Sequence, residues 1–291
     1  MNKVSNSKLD LFETCGKKFQ FRYIDNLKGD YTSSALLFGT ALDSALNYIL
    51  QSIKDDQLWF RQRAVEEFDA VLQTWNGENR LDFFKGDVPT HLQDQIDEMN
   101  PDFQEIVWDE MYKRGLNCID VYIKEVLPLF DSIVSVQNKI EIPNQDGDTF
   151  VGVVDFIAKL KDGRTVLFDN KTASAKYPKN KVVKSQQLSL YLENFPEIRY
   201  AGYVVLIKNP EREKGLTHQI LIDEIPEETR KDSFDRLEKA LYDIKNKKFE
   251  MNLKSCHKFN KPCEYMHLCK YGNPEGLVPA YEKKIDKPDK E

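Results

Sequence analysis

Apolar residues recur three or four positions apart along several long stretches and alternate along shorter ones. The chain therefore predicts helices and strands in one mixed fold. Ser5 or Ser7 can cap a first helix whose stripe is Leu9, Phe12, Phe19 and Tyr23. Further helical periods run over about Ser34 to Ile53, Leu58 to Trp75 and Phe103 to Leu127. A strand follows around Ile133 to Ile142, and then two short runs rich in β-branched and aromatic residues, Val151 to Asp155 and Leu167 to Lys171. Lys179 to Asn194 reads as a helix carrying Val182, Val183, Leu188, Leu190 and Leu192. Ala201 to Ile207 is apolar throughout, as a central strand should be. Another strand is expected near Thr217 to Ile222, and a helix from Glu227 to Asn246 behind Ile225-Pro226, with Pro just inside its start. The stretch Asn76 to Pro101, with Gly77 and Gly86, is the expected insertion or mobile loop, and the Lys-rich tail after Pro279 is expected to fray. No internal repeat interrupts this order.

The two short runs flank Lys161-Asp162-Gly163-Arg164, and the register across that turn decides what chemistry the hairpin can carry. A two-residue Asp162-Gly163 turn would set Asp155 opposite Asn170 and mix charged with apolar side chains on both faces. A three-residue loop, with Gly163 in the left-handed region, pairs Leu160 with Arg164 and Asp155 with Asp169. One face then holds Val154, Phe156, Ala158, Val166 and Phe168, and the other Asp155, Asp169 and Lys171. Because a slip of one residue turns every side chain over, the clean apolar face favours the second register.

Two adjacent carboxylates and a lysine suit metal-assisted phosphodiester cleavage. Magnesium or manganese takes oxygen ligands, so Asp155, Asp169 and one backbone carbonyl can hold such an ion beside a phosphate. Lys171 can orient an attacking water and offset growing negative charge. The alternative is a solvated hairpin whose outer face happens to be charged. Gln187 and Tyr191 stand four apart on one helix face after the hairpin, and Asp43 adds a third carboxylate upstream. Lys176, Lys179, Lys181 and Lys184 form a basic track for phosphates, or a solvated loop and helix start.

In this order, Gly39-x-x-x-Asp43, Gly152-x-Val154-Asp155, Asp169-x-Lys171 and Gln187-x-x-x-Tyr191, the chain resembles the RecB-like branch of the PD-(D/E)XK nucleases, which includes the AddB nuclease domain, CRISPR-adaptation nucleases and phage exonucleases. The likeness runs from Ser5 to Cys269. It implies that Asp155, Asp169 and the Asn170 carbonyl bind metal, that Lys171 sits at the attacking water, and that Gln187 and Tyr191 lie near the substrate phosphates and the lysine. Asp43 stands where the family has histidine; an Asp remains an oxygen ligand and suits magnesium better than imidazole does.

Of the five cysteines, Cys118 lies in a helical pattern and reads as core. Cys15, Cys256, Cys263 and Cys269 supply one early thiol and three late ones. By ligand chemistry alone they can hold a structural zinc, with His257 or His267 able to replace one of them, or remain unligated. The resemblance implies a 4Fe-4S cluster clipping the two ends of the nuclease together. Cys263-x5-Cys269 fits the family spacing, whereas Cys256-x6-Cys263 departs from its usual Cys-x2-Cys.

With 41% hydrophobic and 31% charged residues in 291, composition is ordinary for a soluble globular protein, and no apolar run is long enough to span a bilayer. A net charge of -6 argues against a nonspecific nucleic-acid coat but is compatible with an acidic metal site beside a local basic track. No signal-peptide pattern opens the chain, so a reducing cytoplasm, a host's if the protein is viral, is the expected setting. The fold expected is α/β: a restriction-endonuclease-like core of a mixed central sheet flanked by helices. Its expected division is an N-terminal helical region (1–130), the nuclease core (131–250), a cysteine-rich segment (251–272) and a flexible tail (273–291) within one integrated domain. The expected function is divalent-metal-dependent hydrolysis of DNA bearing a free end or single-stranded portion, as an exonuclease in recombination, repair or phage DNA processing, with a helicase or annealing protein as possible partner. A noncatalytic DNA-binding or assembly subunit of the same fold, and an endonuclease or nickase, are the alternatives.

Overall fold

The computed structural model describes residues 3–75, 80–82, 101–144, 146–258 and 261–281. Nearly all of the insertion expected between Asn76 and Pro101, and the tail beyond Tyr281, lie outside these. The chain divides into two compact units. One comprises Tyr31–Ile142 with Val151–Asp235, and the other Met1–Asp30, Pro143–Phe150 and Arg236–Glu291.

The larger unit is built on a mixed sheet. Its strands are Phe130–Pro143 (β1), Thr149–Leu160 (β2), Thr165–Ala173 (β3), Tyr200–Ile207 (β4) and His218–Glu224 (β5). They lie in sequence order, with β2/β3 and β4/β5 antiparallel and β3/β4 parallel. A parallel pair needs a crossover connection, and here it carries a short helix, Gln186–Leu192. Upstream come the helices Ser34–Lys54, Arg61–Leu72 and Pro101–Val121, which we label α1, α2 and α3, with Gln186–Leu192 as α4. α1 has the broad apolar stripe its sequence predicts, burying Phe38, Leu42, Leu46 and Ile49. Those residues share one core with Phe68, Tyr122, Phe130, Phe156 and Phe168. At its centre the rings of Phe156 and Phe168 stack with centroids 5.0 Å apart.

The hairpin has the three-residue loop. Leu160 N–H donates to the Arg164 carbonyl at 2.8 Å, Gly163 has φ of 89°, and Phe156 pairs with Phe168. The crossover differs from expectation. Instead of a helix from Lys179, a single 3-10 turn covers Lys179–Lys181 and α4 begins only at Gln186. Ser185 is extended (φ -85°, ψ 110°), and its hydroxyl accepts the Leu188 N–H at 3.1 Å, an N-cap that restarts the chain. That hydroxyl also lies 2.6 Å from the Tyr203 hydroxyl on β4, fixing the helix start over the sheet. β1 departs from strict alternation: Phe130, Ile133, Val136 and Ile140 are buried, and Gln137 between the last two takes φ of 52°. α3 ends in a π turn, Tyr122–Val126.

In the smaller unit the first helix, Asn6–Thr14, stops at Cys15, which is extended (φ -169°, ψ 115°), so the expected stripe of Leu9, Phe12, Phe19 and Tyr23 is broken rather than continuous. Gly16–Phe19 then resumes. Phe19 packs on Phe12, Tyr23 and Phe249. A strand at Leu27–Gly29 pairs antiparallel with Leu277–Pro279, and Tyr265, 2% exposed, donates its hydroxyl to the Leu27 carbonyl at 2.9 Å. Among the described residues no helix is long and apolar enough to cross a membrane.

Candidate active site

The hairpin register carries Asp155 to a position opposite Asp169, one residue beyond the Phe156–Phe168 pair. Asp155 Oδ2 accepts the Asn170 N–H at 2.7 Å. Lys171, two residues along β3 and on the same face, forms an ion pair with Asp169 Oδ2. From α4, Gln187 Nε2 donates to Asp169 Oδ1 at 2.7 Å and to the Tyr191 hydroxyl at 3.0 Å. The Ser185 cap thus sets the helix, the helix sets Gln187, and Gln187 holds one oxygen of Asp169. Asp43, on α1, accepts from Asn47 Nδ2 at 3.1 Å and lies near enough to feel the charges of Asp169 and Lys171. The sequence-predicted residues Asp43, Asp155, Asp169, Asn170, Lys171, Gln187 and Tyr191 therefore gather around one point.

Burial governs the electrostatics. It raises the Asp155 carboxyl well above the usual range, and the charges of Asp169 and Asp43 add to the rise. Burial also raises Asp169, against the opposing pull of Lys171 and Gln187, and raises Asp43. Lys171 is held protonated, because Asp169 and Asp155 outweigh the desolvation of its ammonium. Three carboxylates thus share a single ammonium in a water-poor site. An oxygen-only donor set with surplus negative charge fits a hard divalent cation, for which Asp155, Asp169, the Asn170 carbonyl and Asp43 are the available ligands. Among the described residues, no group of three His, Cys, Asp or Glu side chains is arranged as a complete metal site.

Sequence patterns left two features of this site unread. The first is Tyr122, at the α3 π turn. It is fully buried, its hydroxyl faces the Asn170 side chain, and it feels the charges of Asp155 and Asp43. Neither that hydroxyl nor either Asn170 amide atom closes a hydrogen bond of ordinary geometry, so buried polar capacity is concentrated directly behind the site. A π turn is a frequent companion of functional sites, but the apolar pattern around Tyr122 reads only as core. The second is the reason for Gly152. A Cβ there would lie 2.6 Å from Tyr191 Cε1, so a side chain is excluded where the Tyr191 ring crosses β2.

Lys176, Lys179, Lys181 and Lys184 are all exposed around the 3-10 turn that leads into α4. Tyr177 fastens this loop to the sheet by two hydrogen bonds with Gln219, of 2.8 and 3.1 Å.

In the smaller unit Cys15, Cys256, Cys263 and Cys269 line one cleft of about 30 Å³. Burial pushes the Cys15 thiol up, but the N–H groups of Asn252, Lys18 and Lys17 and the Ser255 hydroxyl prevail and lower it. The Asn252 N–H lies 3.4 Å from Cys15 Sγ. Gly16 permits this: a Cβ there would meet the Glu250 nitrogen at 2.7 Å. The Cys263 N–H donates to the Cys256 carbonyl at 2.7 Å, tying two of the late cysteines despite their long spacing. Cys118 is buried in the core of the larger unit, apart from this set.

The sequence profile described as the PD-(D/E)XK nuclease superfamily matches residues 3–270. None of the curated proteins matches the chain. Among solved structures, the one described as "Crystal structure of SSO0001" is similar at a TM-score of 0.30 and 14% identity, covering 79% of this chain and 84% of that one. That likeness is too loose to inform the site.

Proposed function

The chain belongs to the PD-(D/E)XK nuclease superfamily, and from that premise we propose that it is a metal-dependent exonuclease of the RecB-like branch, degrading DNA from an end in recombination, repair or phage DNA processing. The observation that carries the reading is the joint placement of Asp155, Asp169 and Lys171 on the hairpin with Gln187 locked onto Asp169. Magnesium or manganese bound by Asp155, Asp169 and the Asn170 carbonyl, with Asp43 as a further oxygen ligand, would acidify water and stabilise charge on the phosphate. The chain's own residues do the rest. Lys171 stays cationic beside Asp169, where it orients a water and balances negative charge as the leaving oxygen departs. Gln187, braced by Tyr191, fixes the Asp169 oxygen that faces away from the lysine. The exposed lysines from Lys176 to Lys184 suit the phosphates of the incoming strand.

We further propose that Cys15, Cys256, Cys263 and Cys269 carry a 4Fe-4S cluster. Support comes from their shared cleft and from N–H donors directed at Cys15. On the likeness to the RecB-like branch, a helicase or annealing protein is the proposed partner. Purified protein with end-labelled linear and circular DNA tests the enzymatic reading. Label should be released from linear DNA with magnesium or manganese and retained with EDTA, while circles survive. Nicked circles would replace the exonuclease with an endonuclease, and intact DNA throughout would leave a noncatalytic subunit.

A further inference from the structure

A groove of about 530 Å³ opens beside the far half of β1, lined by Gln137, Asn138, Lys139, Ile140, Asn194 and Phe195. It is shallow and widely open to solvent, so it can cover one side of a nucleotide but not enclose it. Three of the six are carboxamides, one is a lysine and one a phenylalanine, and none is acidic although the chain as a whole carries a charge of -6. The groove also reaches the carboxylates by two routes. Gln137, turned by its left-handed backbone, donates from Nε2 to Asn47 Oδ1 at 3.1 Å, and Asn47 donates in turn to Asp43. Ile140 and Tyr191 both crowd Gly152, and Tyr191 is the residue that braces Gln187 on Asp169.

We propose that this groove is a subsite for one unpaired nucleotide of the DNA strand being degraded, next to the phosphate at the active centre. The proposal rests on the nuclease reading above and specifies its substrate. A phenyl ring offers a stacking platform for any base, carboxamides pair with the donor and acceptor edges of bases, and Lys139 meets a phosphate. Bases inside a duplex cannot present a face to Phe195, so the subsite selects a single-stranded end. Gln137 and Asn47 make Asp43 responsive to whether it is filled.

The test is fluorescence anisotropy of the full chain with a labelled single-stranded oligonucleotide and a blunt duplex, in calcium to suppress turnover, with cleavage in magnesium measured separately. Phe195→Ala should weaken single-strand binding roughly tenfold and leave duplex binding within about twofold, while Phe195→Trp retains both. Asn194→Ala, at an exposed position, should weaken single-strand binding in the same direction, and thermal unfolding confirms that each variant is folded. Single-strand binding unchanged in both alanine variants, or lost equally with duplex binding, overturns the subsite even if the wild type degrades DNA. A wild type that cleaves nothing, with selective loss of single-strand binding in the variants, removes the nuclease reading and keeps the subsite.

Discussion

Replacing Gly152 with alanine should disable catalysis without touching a catalytic group. The added Cβ would sit 2.6 Å from Tyr191 Cε1 and 3.2 Å from both Tyr191 Cζ and Ile140 Cγ1. Carbon atoms rest at about 3.5–4.0 Å, so the ring must retreat by roughly 1 Å. Tyr191 is only 3% exposed, so the ring must move within the packed interior. Overpacking of this kind costs about 1–3 kcal/mol, and each kcal/mol lowers Tm by about 2–4 °C in a chain of this size. The ring takes its hydroxyl along, and that hydroxyl is 3.0 Å from the Gln187 amide holding Asp169. A shift of about 1 Å in a positioning group can slow reaction about a hundredfold. Single-turnover cleavage of end-labelled DNA at saturating metal reads the rate, and thermal unfolding reads stability. The double variant Gly152→Ala with Tyr191→Leu has room for the new methyl, so it should be no less stable than Tyr191→Leu alone, a non-additive result. Its rate should stay low because the hydroxyl is gone. Wild-type rate and Tm in Gly152→Ala, or a rescued rate in the double variant, would refute the chain of contacts from β2 to Asp169.

Asp155→Ala, Asp169→Ala and Lys171→Ala should each reduce cleavage at least about a thousandfold with secondary structure intact by circular dichroism; comparable turnover in any of them would move the active site elsewhere. Asp43→Ala should raise the metal concentration needed for half-maximal cleavage more than it changes DNA affinity, and an unchanged metal titration would remove Asp43 from the ligand set. Anaerobically purified protein should be brown and should lose colour and stability with Cys→Ser at Cys15, Cys256, Cys263 or Cys269. Colourless protein with stoichiometric zinc would replace the cluster but keep the clip. Gly16→Ala should mimic loss of Cys15, since its methyl meets backbone at 2.7 Å and cannot be relieved by a rotamer change.

The hairpin register could be read from sequence because alternation and one glycine over-determine it: only the loop with Gly163 at positive φ buries Phe156 and Phe168 together. Spacing put Gln187 and Tyr191 on one helix face, and it was the resemblance to the RecB-like branch that set them beside the lysine. The start of α4 was not legible, since Val182 and Val183 extend the apolar period backwards, while the cap that overrides it depends on Tyr203 from a neighbouring strand. Tyr122 was hidden for a related reason. It opens the π turn that ends α3, and its place behind Asn170 is a tertiary contact that no 3.6-residue pattern records. Cys15 could be matched to the late cysteines, but the extended backbone that breaks its helix could not be anticipated from an unbroken stripe.

The tie between the Gly29 N–H and Glu264 spans 235 residues, and the strand at Leu27–Gly29 finds its partner only at Leu277–Pro279. On a ribosome adding about 5–20 residues per second, the early segment waits on the order of 10–50 s for those partners to emerge. For most of that interval Phe19 lacks the Phe249 ring it stacks on, whereas the sheet from β1 to β5 is complete once Glu224 has been made. Synthesis therefore runs ahead of assembly for this segment, leaving nascent chains with an uncovered aromatic stretch that a holding chaperone is suited to shield.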